Sequence, residues 1–288
     1  MDYGDFDRIL HSLEAKALNL GDRSVAYPKY GQAVILAGGA GSGKGFILKN
    51  VLSIQGRVFD PDELKKKVPL IADEDAKRLF EERYGYRITD TDLAKPWHVE
   101  NLHYFIKDMG YEKRIYEAFF KANMSSKYKP NVIFDTTLKN MKKARSIAEW
   151  LDFGGYEDYN RHVVWILNSV ETAIEQNAER ARKVPVNILL NTHEGASLTI
   201  RDLIKANSRE YFDGDVWIVF NRLTDTIVET RPQRQSILSA KKKSVTTELK
   251  KYTAFQLKQM GRDWMPIQQI ETQVMDKLNE YVPEGTEW

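Results

Sequence analysis

The chain has 288 residues, 42% hydrophobic and 29% charged, with a formal net charge of +2. That balance excludes disordered and fibrous classes and supplies enough apolar material for a sizeable core. Zero cysteines exclude disulfides, thiolate catalysis and cysteine-held metals, and the histidines at 11, 98, 103, 162 and 193 lack the spacing of a protein-caged transition metal. No apolar run approaches the roughly 20 residues of a bilayer span, and the opening MDYGDFDRIL lacks a signal-peptide pattern. The expectation is a cytoplasmic protein with no membrane partner.

In chain order, residues 5–17 place Phe6, Ile9, Leu10 and Leu13 at helical spacing, so 1–30 reads as a helical lead-in. QAVILA (32–37) is a continuous apolar run suited to a parallel strand buried on both faces. It is followed at once by GGAGSGKG and the helix pattern FILKNVL. Further strand-like runs are RVFD (57–60), NVIFD (131–135), HVVWIL (162–167) and DVWIVF (215–220), with helical patterns between most of them. Strands alternating with helices predict an α/β fold, a mainly parallel sheet with helices on both faces.

The long stretch between the second and third strands reads as a helical insertion, about residues 63–130, within a core spanning 31–230. Residues 84–128 of it hold ten aromatics, including Tyr84, Trp97, Tyr104, Phe105 and Phe120. Core packing explains most helix-spaced aromatics, and a stacking surface for a base or sugar is the other reading. Residues 231–288 read as a basic helical extension, with helix patterning in TTELKKYTAFQLKQM. Within it, 231–262 carry nine Lys or Arg against Glu248 alone, a local charge of +8 that leaves −6 elsewhere. Such asymmetry suits a polyanion, although charge runs are more often solvated helix faces.

Gly38-Gly39-Ala40-Gly41-Ser42-Gly43-Lys44 matches GxxxxGK between a buried strand and a helix. Glycines let backbone N–H groups converge on phosphate oxygens, the helix end adds positive potential, and a lysine bridges the β- and γ-phosphates. This predicts a P-loop NTPase three-layer sandwich that binds ATP. Gly45 stands where Ser or Thr normally supplies a hydroxyl to Mg²⁺, so water, Ser42 or a carboxylate from another strand end must serve.

Ligands of open α/β sheets sit beyond the carboxyl ends of the strands. There the second strand presents Asp60 and Asp62, which either cap the next helix or take the proton of an acceptor hydroxyl. The third presents Asp135 and Thr136, with Asp135 a candidate Mg²⁺ ligand. The segment after the fourth strand brings Arg180 and Arg182, cations of the kind that phosphoryl transfer requires, and VPVNILLNTHEGASL behind them reads as a lid hinge.

Together LAGGAGSGKG, FDPDELKKKVP, NVIFDTTLKN and WILNSVETAIEQNAERARKVP resemble the zeta-toxin-like P-loop kinases, a group found in bacteria and bacteriophages, over residues 31–227. The resemblance implies phosphate binding by Lys44 and catalytic-base chemistry by Asp62. It implies a substrate or metal role for Asp135, lid roles for Arg180 and Arg182, and adenine proximity for Asn221 and Arg222. It implies transfer of the ATP γ-phosphate to a hydroxyl. The basic segment and the aromatics tilt the acceptor toward a nucleotide or nucleic acid, such as hydroxymethyluracil in phage DNA. The alternatives are a nucleotide-activated amino sugar, and a nucleic-acid-binding protein with a degenerate P-loop.

Overall fold

A computed structural model describes residues 30–50, 52, 54–180, 183–221 and 252–286. The lead-in helix expected at 5–17 and residues 231–251 of the basic segment lie outside the described residues.

Six strands form one sheet in the order β2-β3-β1-β4-β5-β6. They are β1 (Ala33–Ala37), β2 (Arg57–Phe59), β3 (Val132–Asp135), β4 (Arg161–Leu167), β5 (Val216–Asn221) and β6 (Tyr252–Lys258). The first five run parallel, with Ala33 beside Val132 on one side and beside Arg161 on the other. The predicted strands agree with these five to within a residue at each end. Every residue of β1, β4 and β5 is buried, which is why each reads as an unbroken apolar run rather than an alternating one.

Side chains alternate between two cores, as the period of two requires. Ala33, Ile35 and Ala37 face the larger one, which also takes in Phe120, Phe134, Leu151, Ile200 and Leu278. Val34 and Leu36 face the smaller one, sealed by Ile47. Helix α1 (Lys44–Asn50) thus covers one face. The other face is covered by α5 (Tyr111–Asn123), α6 (Met141–Phe153), α8 (Val186–Lys205) and α9 (Ile267–Tyr281). Phe59, at the end of β2, meets Tyr116 and Phe119 edge-on at ring-centroid distances of 4.7 and 5.2 Å. Aromatic pairs of this kind add roughly 0.5–1.5 kcal/mol each beyond their buried area. They seat α5 under the strand end that leads into Asp60.

The expected insertion consists of α2 (Pro61–Ile71), α3 (Glu74–Tyr84), α4 (Pro96–Asp108) and α5. It builds a third core from Val68, Phe80, Leu102, Phe105 and Tyr111. Packing therefore claims most of its aromatics, while Trp97, Tyr104 and Tyr128 stay about half exposed.

One element differs from expectation. The helical reading of TTELKKYTAFQLKQM fails in its described part, because Tyr252–Lys258 is β6, antiparallel to β5. Phe255 and Leu257 pack toward the main core, and pairing satisfies the backbone along what would otherwise be an open sheet edge. Tertiary pairing outweighs the local helical spacing. The helix comes later, as α9, with Ile270, Val274, Leu278 and Tyr281 buried. Lys258, counted in the basic run, is also fully buried and paired with Asp213 at 2.8 Å, so it is withdrawn from any polyanion surface.

Candidate active site

Between β1 and α1 the chain curls rather than extends. Gly38, Gly41 and Gly43 have φ of 146°, 78° and 90°, which side chains with a Cβ rarely adopt. Space forbids a Cβ as well. At Gly39 it would lie 2.0 Å from the His193 ring, and at Gly43 2.0 Å from Asn221 Nδ2. At Gly45 nothing lies within 4 Å, so the missing hydroxyl there is not a steric necessity.

The loop is held from outside by its carbonyls. Asn168, just after β4, donates Nδ2–H to Gly41 O at 3.3 Å. Asn221, at the end of β5, donates to Ser42 O at 3.2 Å. His193 of α8 bonds Ala40 O at 2.8 Å, and Ala40 N–H donates to Thr192 Oγ1 at 3.1 Å. Inside the loop, Ser42 N–H donates to Gly39 O at 3.2 Å. Among the described residues nothing accepts from the N–H groups of Gly41, Gly43, Lys44 or Gly45. They form the cluster of donors an anion requires. Lys44 folds back, its Nζ donating to Gly38 O at 2.8 Å and Gly39 O at 3.2 Å. Burial lowers its pKa, and the charges of Asp135, Asp62 and Asp60 pull it back up.

The carboxylates have distinct employments. Asp60 is the N-cap of α2, accepting from Asp62 N–H at 2.7 Å, with Pro61 opening the helix. The capping alternative therefore holds for Asp60. Asp62, one position into the helix, pairs with Lys65 Nζ at 3.2 Å and keeps 38% of its side chain exposed. Asp135, at the end of β3, is held above the ordinary carboxylate range by burial, against the pull of Lys44 and with the push of Asp60 and Asp62. Arg180 acts on both Lys44 and Asp135, so its charge belongs to the same neighbourhood. Thr136 is employed in a turn, its Oγ1 accepting from Leu138 N–H at 3.3 Å. Arg182 and Arg222 lie outside the described residues.

Arg180 starts a short segment whose base is tied. Asn177 of α7 (Val170–Glu179) accepts from Val184 N–H at 2.9 Å and donates to Val184 O at 2.7 Å. The stretch VPVNILLNTHEGASL does not form a hinge as expected: from Val186 onward it is the continuous helix α8, through Gly195, and only Val184 and Pro185 precede it, with Val184 anchored by Asn177.

Sequence reasoning missed Asn168, Thr192 and His193. Asn168 directly follows the fourth apolar run, and inspection of strand ends reaches it. Thr192 and His193 carry a weaker signal, two polar residues on the otherwise apolar side of a helix. Asn221, expected near adenine, supports the loop through its side chain, a task the sequence did not reveal.

The zeta toxin family model matches residues 19–233. Similar solved structures include one from the PezAT chromosomal toxin-antitoxin system of Streptococcus pneumoniae, at 18% identity, TM-score 0.39, and 76% and 77% coverage of this chain and that one. The AvrRxo1-ORF1:-ORF2 complex is similar at 15% identity and TM-score 0.43, covering 73% of this chain and 57% of the other. Its form with ATP gives 14% and 0.41, covering 75% and 62%. No curated protein matches the sequence. With the family model spanning well over half of its length and the loop curled at the carboxyl edge of β1, this chain belongs to the zeta toxin family of P-loop kinases.

Proposed function

We propose that the protein transfers the γ-phosphoryl group of ATP to a hydroxyl on a nucleotide or nucleic-acid acceptor. One observation carries this reading: Lys44, Asp62, Asp135 and Arg180 share a single electrostatic neighbourhood beside a loop that offers unused N–H groups. On binding ATP, Lys44 exchanges its two loop carbonyls for phosphate oxygens, at little cost because the loop is held by other side chains. Asp62 accepts the acceptor's hydroxyl proton, and Lys65 fixes the carboxylate that does so. Lys44 and Arg180, with Arg182 as the second lid cation, offset negative charge on the transferred group.

Mg²⁺ fits this donor set in a modified way. Asp135, together with the buried and unpartnered Ser42 hydroxyl, would hold it where Gly45 offers nothing. When bound, the ion screens the phosphate charges from the attacking oxygen.

The acceptor divides into two readings. Eight cations of the basic run remain after Lys258 is withdrawn, which supports a polyanion acceptor such as DNA, with hydroxymethyluracil as one base that offers a hydroxyl. Family membership favours a nucleotide-activated amino sugar. The test is transfer of labelled γ-phosphate to sugar nucleotides, nucleosides, plain DNA and hydroxymethyluracil DNA. Transfer to DNA should fall steeply with salt, whereas transfer to a sugar nucleotide should not. Asp62→Asn is expected to lower transfer by about 10²–10⁴, and Lys44→Ala to abolish it. ATP hydrolysis that no acceptor diverts, or full activity in Asp62→Asn, would overturn the reading.

A further inference from the structure

Ala40 sits at the crest of the phosphate loop, and α8 claims both of its backbone polar groups. The chemistry of each partner fixes its orientation. A carbonyl only accepts, so the 2.8 Å contact with Ala40 O requires the hydrogen of His193 on Nε2. Nδ1 is then a bare lone pair, fully buried, with no hydrogen-bond partner. Thr192 gives its hydroxyl hydrogen to Leu189 O at 2.7 Å, which leaves an oxygen lone pair for Ala40 N–H. The two side chains thus make a clamp with a single hydrogen arrangement. The His193 ring also fills the space a Cβ at Gly39 would need.

We infer that Thr192 and His193 are positioning residues that set the phosphate cradle. They hold the Ala40 backbone turned outward and leave the N–H groups of Gly41, Gly43, Lys44 and Gly45 directed to the anion. The inference rests on the kinase reading above. It also gives α8 a role beyond covering the sheet. This helix begins two residues after Val184, which Asn177 pins, so the arginine segment and the crest of the cradle are both attached to one rigid rod.

The test compares His193→Phe, which keeps a ring without the donor, with His193→Gln, which keeps a donor, and with Thr192→Val, which keeps the shape without the acceptor. Calorimetry with ATP should show affinity reduced by about tenfold in His193→Phe and Thr192→Val, the equivalent of one lost hydrogen bond. His193→Gln should recover most of the loss. KM for ATP should rise more than kcat falls, with melting temperatures near the wild-type value. Nitrogen chemical shifts should report His193 protonated at Nε2 alone. Should His193→Phe fail to fold, Thr192→Val decides. Wild-type protein that takes up no ATP overturns the kinase reading and the positioning role with it. Binding that is lost in Lys44→Ala yet unchanged in folded clamp variants overturns the positioning role alone and leaves packing as the histidine's only task.

Discussion

Each edge of the sheet buries a histidine completely. At the amino edge, His162 accepts Asp215 N–H at Nδ1 and bonds Gln32 Oε1 through Nε2, both at 2.9 Å. At the carboxyl edge, His193 spends Nε2 on the phosphate loop and leaves Nδ1 without a partner. Their neighbours follow the same division. Near His162, Lys258 reaches Asp213 Oδ1 at 2.8 Å and the carbonyls of Asp213 and Gly214 at 3.0 and 3.3 Å. Arg161 meets Tyr156 O and Asp152. Near His193, the Ser42 hydroxyl is buried without a partner, and burial works against the charged forms of both Lys44 and Asp135. Buried polar groups are ordinarily satisfied; among the described residues the exceptions are spread over the molecule, Tyr84, Tyr86, Arg201 and Trp217 among them, and Ser42 and His193 are the two that adjoin the phosphate loop. What sets the carboxyl edge apart is that its two unpartnered side-chain atoms stand beside loop N–H groups that no described residue accepts from.

The contrast can be broken first at the glycines. Gly43→Ala places a Cβ on Asn221 at a φ of 90°, and strain of about 1–3 kcal/mol should appear chiefly as lost nucleotide affinity, up to about 100-fold. Calorimetric ATP titration checks this, and unchanged affinity would remove the cradle argument. A smaller effect is expected at the amino edge. Burial, reinforced by the Lys258 charge, pushes the His162 pKa from about 6.5 to about 3. Between those values the unfolded chain binds the proton that the folded one refuses, so stability is present above pH 6.5 and drains away as pH falls. From pH 6.5 to 4.5 the loss is on the order of 2 kcal/mol. Denaturant titrations at several pH values should show a shallower acid slope in His162→Gln, and identical slopes would contradict the assignment. The least effect is expected at Gly45, where a Cβ meets open space in the first turn of α1. Gly45→Ala should stabilise by roughly 0.5–1 kcal/mol, read as a small rise in melting temperature. Gly45→Ser should in addition lower the Mg²⁺ concentration needed for transfer.

The two edges were also unequally legible in the sequence. Parallel strands buried on both faces announce themselves as apolar runs, so β1, β3, β4 and β5 stand out, and GGAGSGKG identifies the loop between β1 and α1 without any alignment. β6 was hidden because its register is dictated by β5, some thirty residues earlier in the chain. Local spacing carries no record of such a partner. The supports of the loop were hidden for the same reason: Thr192 and His193 act on a residue about 150 positions away. Asp62 and Asp135 could be put forward as candidates because strand ends can be inspected once strands are known. Their division of labour, with Asp60 capping and Asp62 open to solvent, required coordinates.

The paired bonds between Asn177 and Val184 have a consequence for diversification. They tie Val184, two residues ahead of α8, to the last turn of α7. Substitution of positions in the stretch between the two residues, other than Arg180 and Arg182, should then leave the sheet undisturbed. Exchange of those other positions between homologues would vary the segment while Arg180 and Arg182 keep their proposed role.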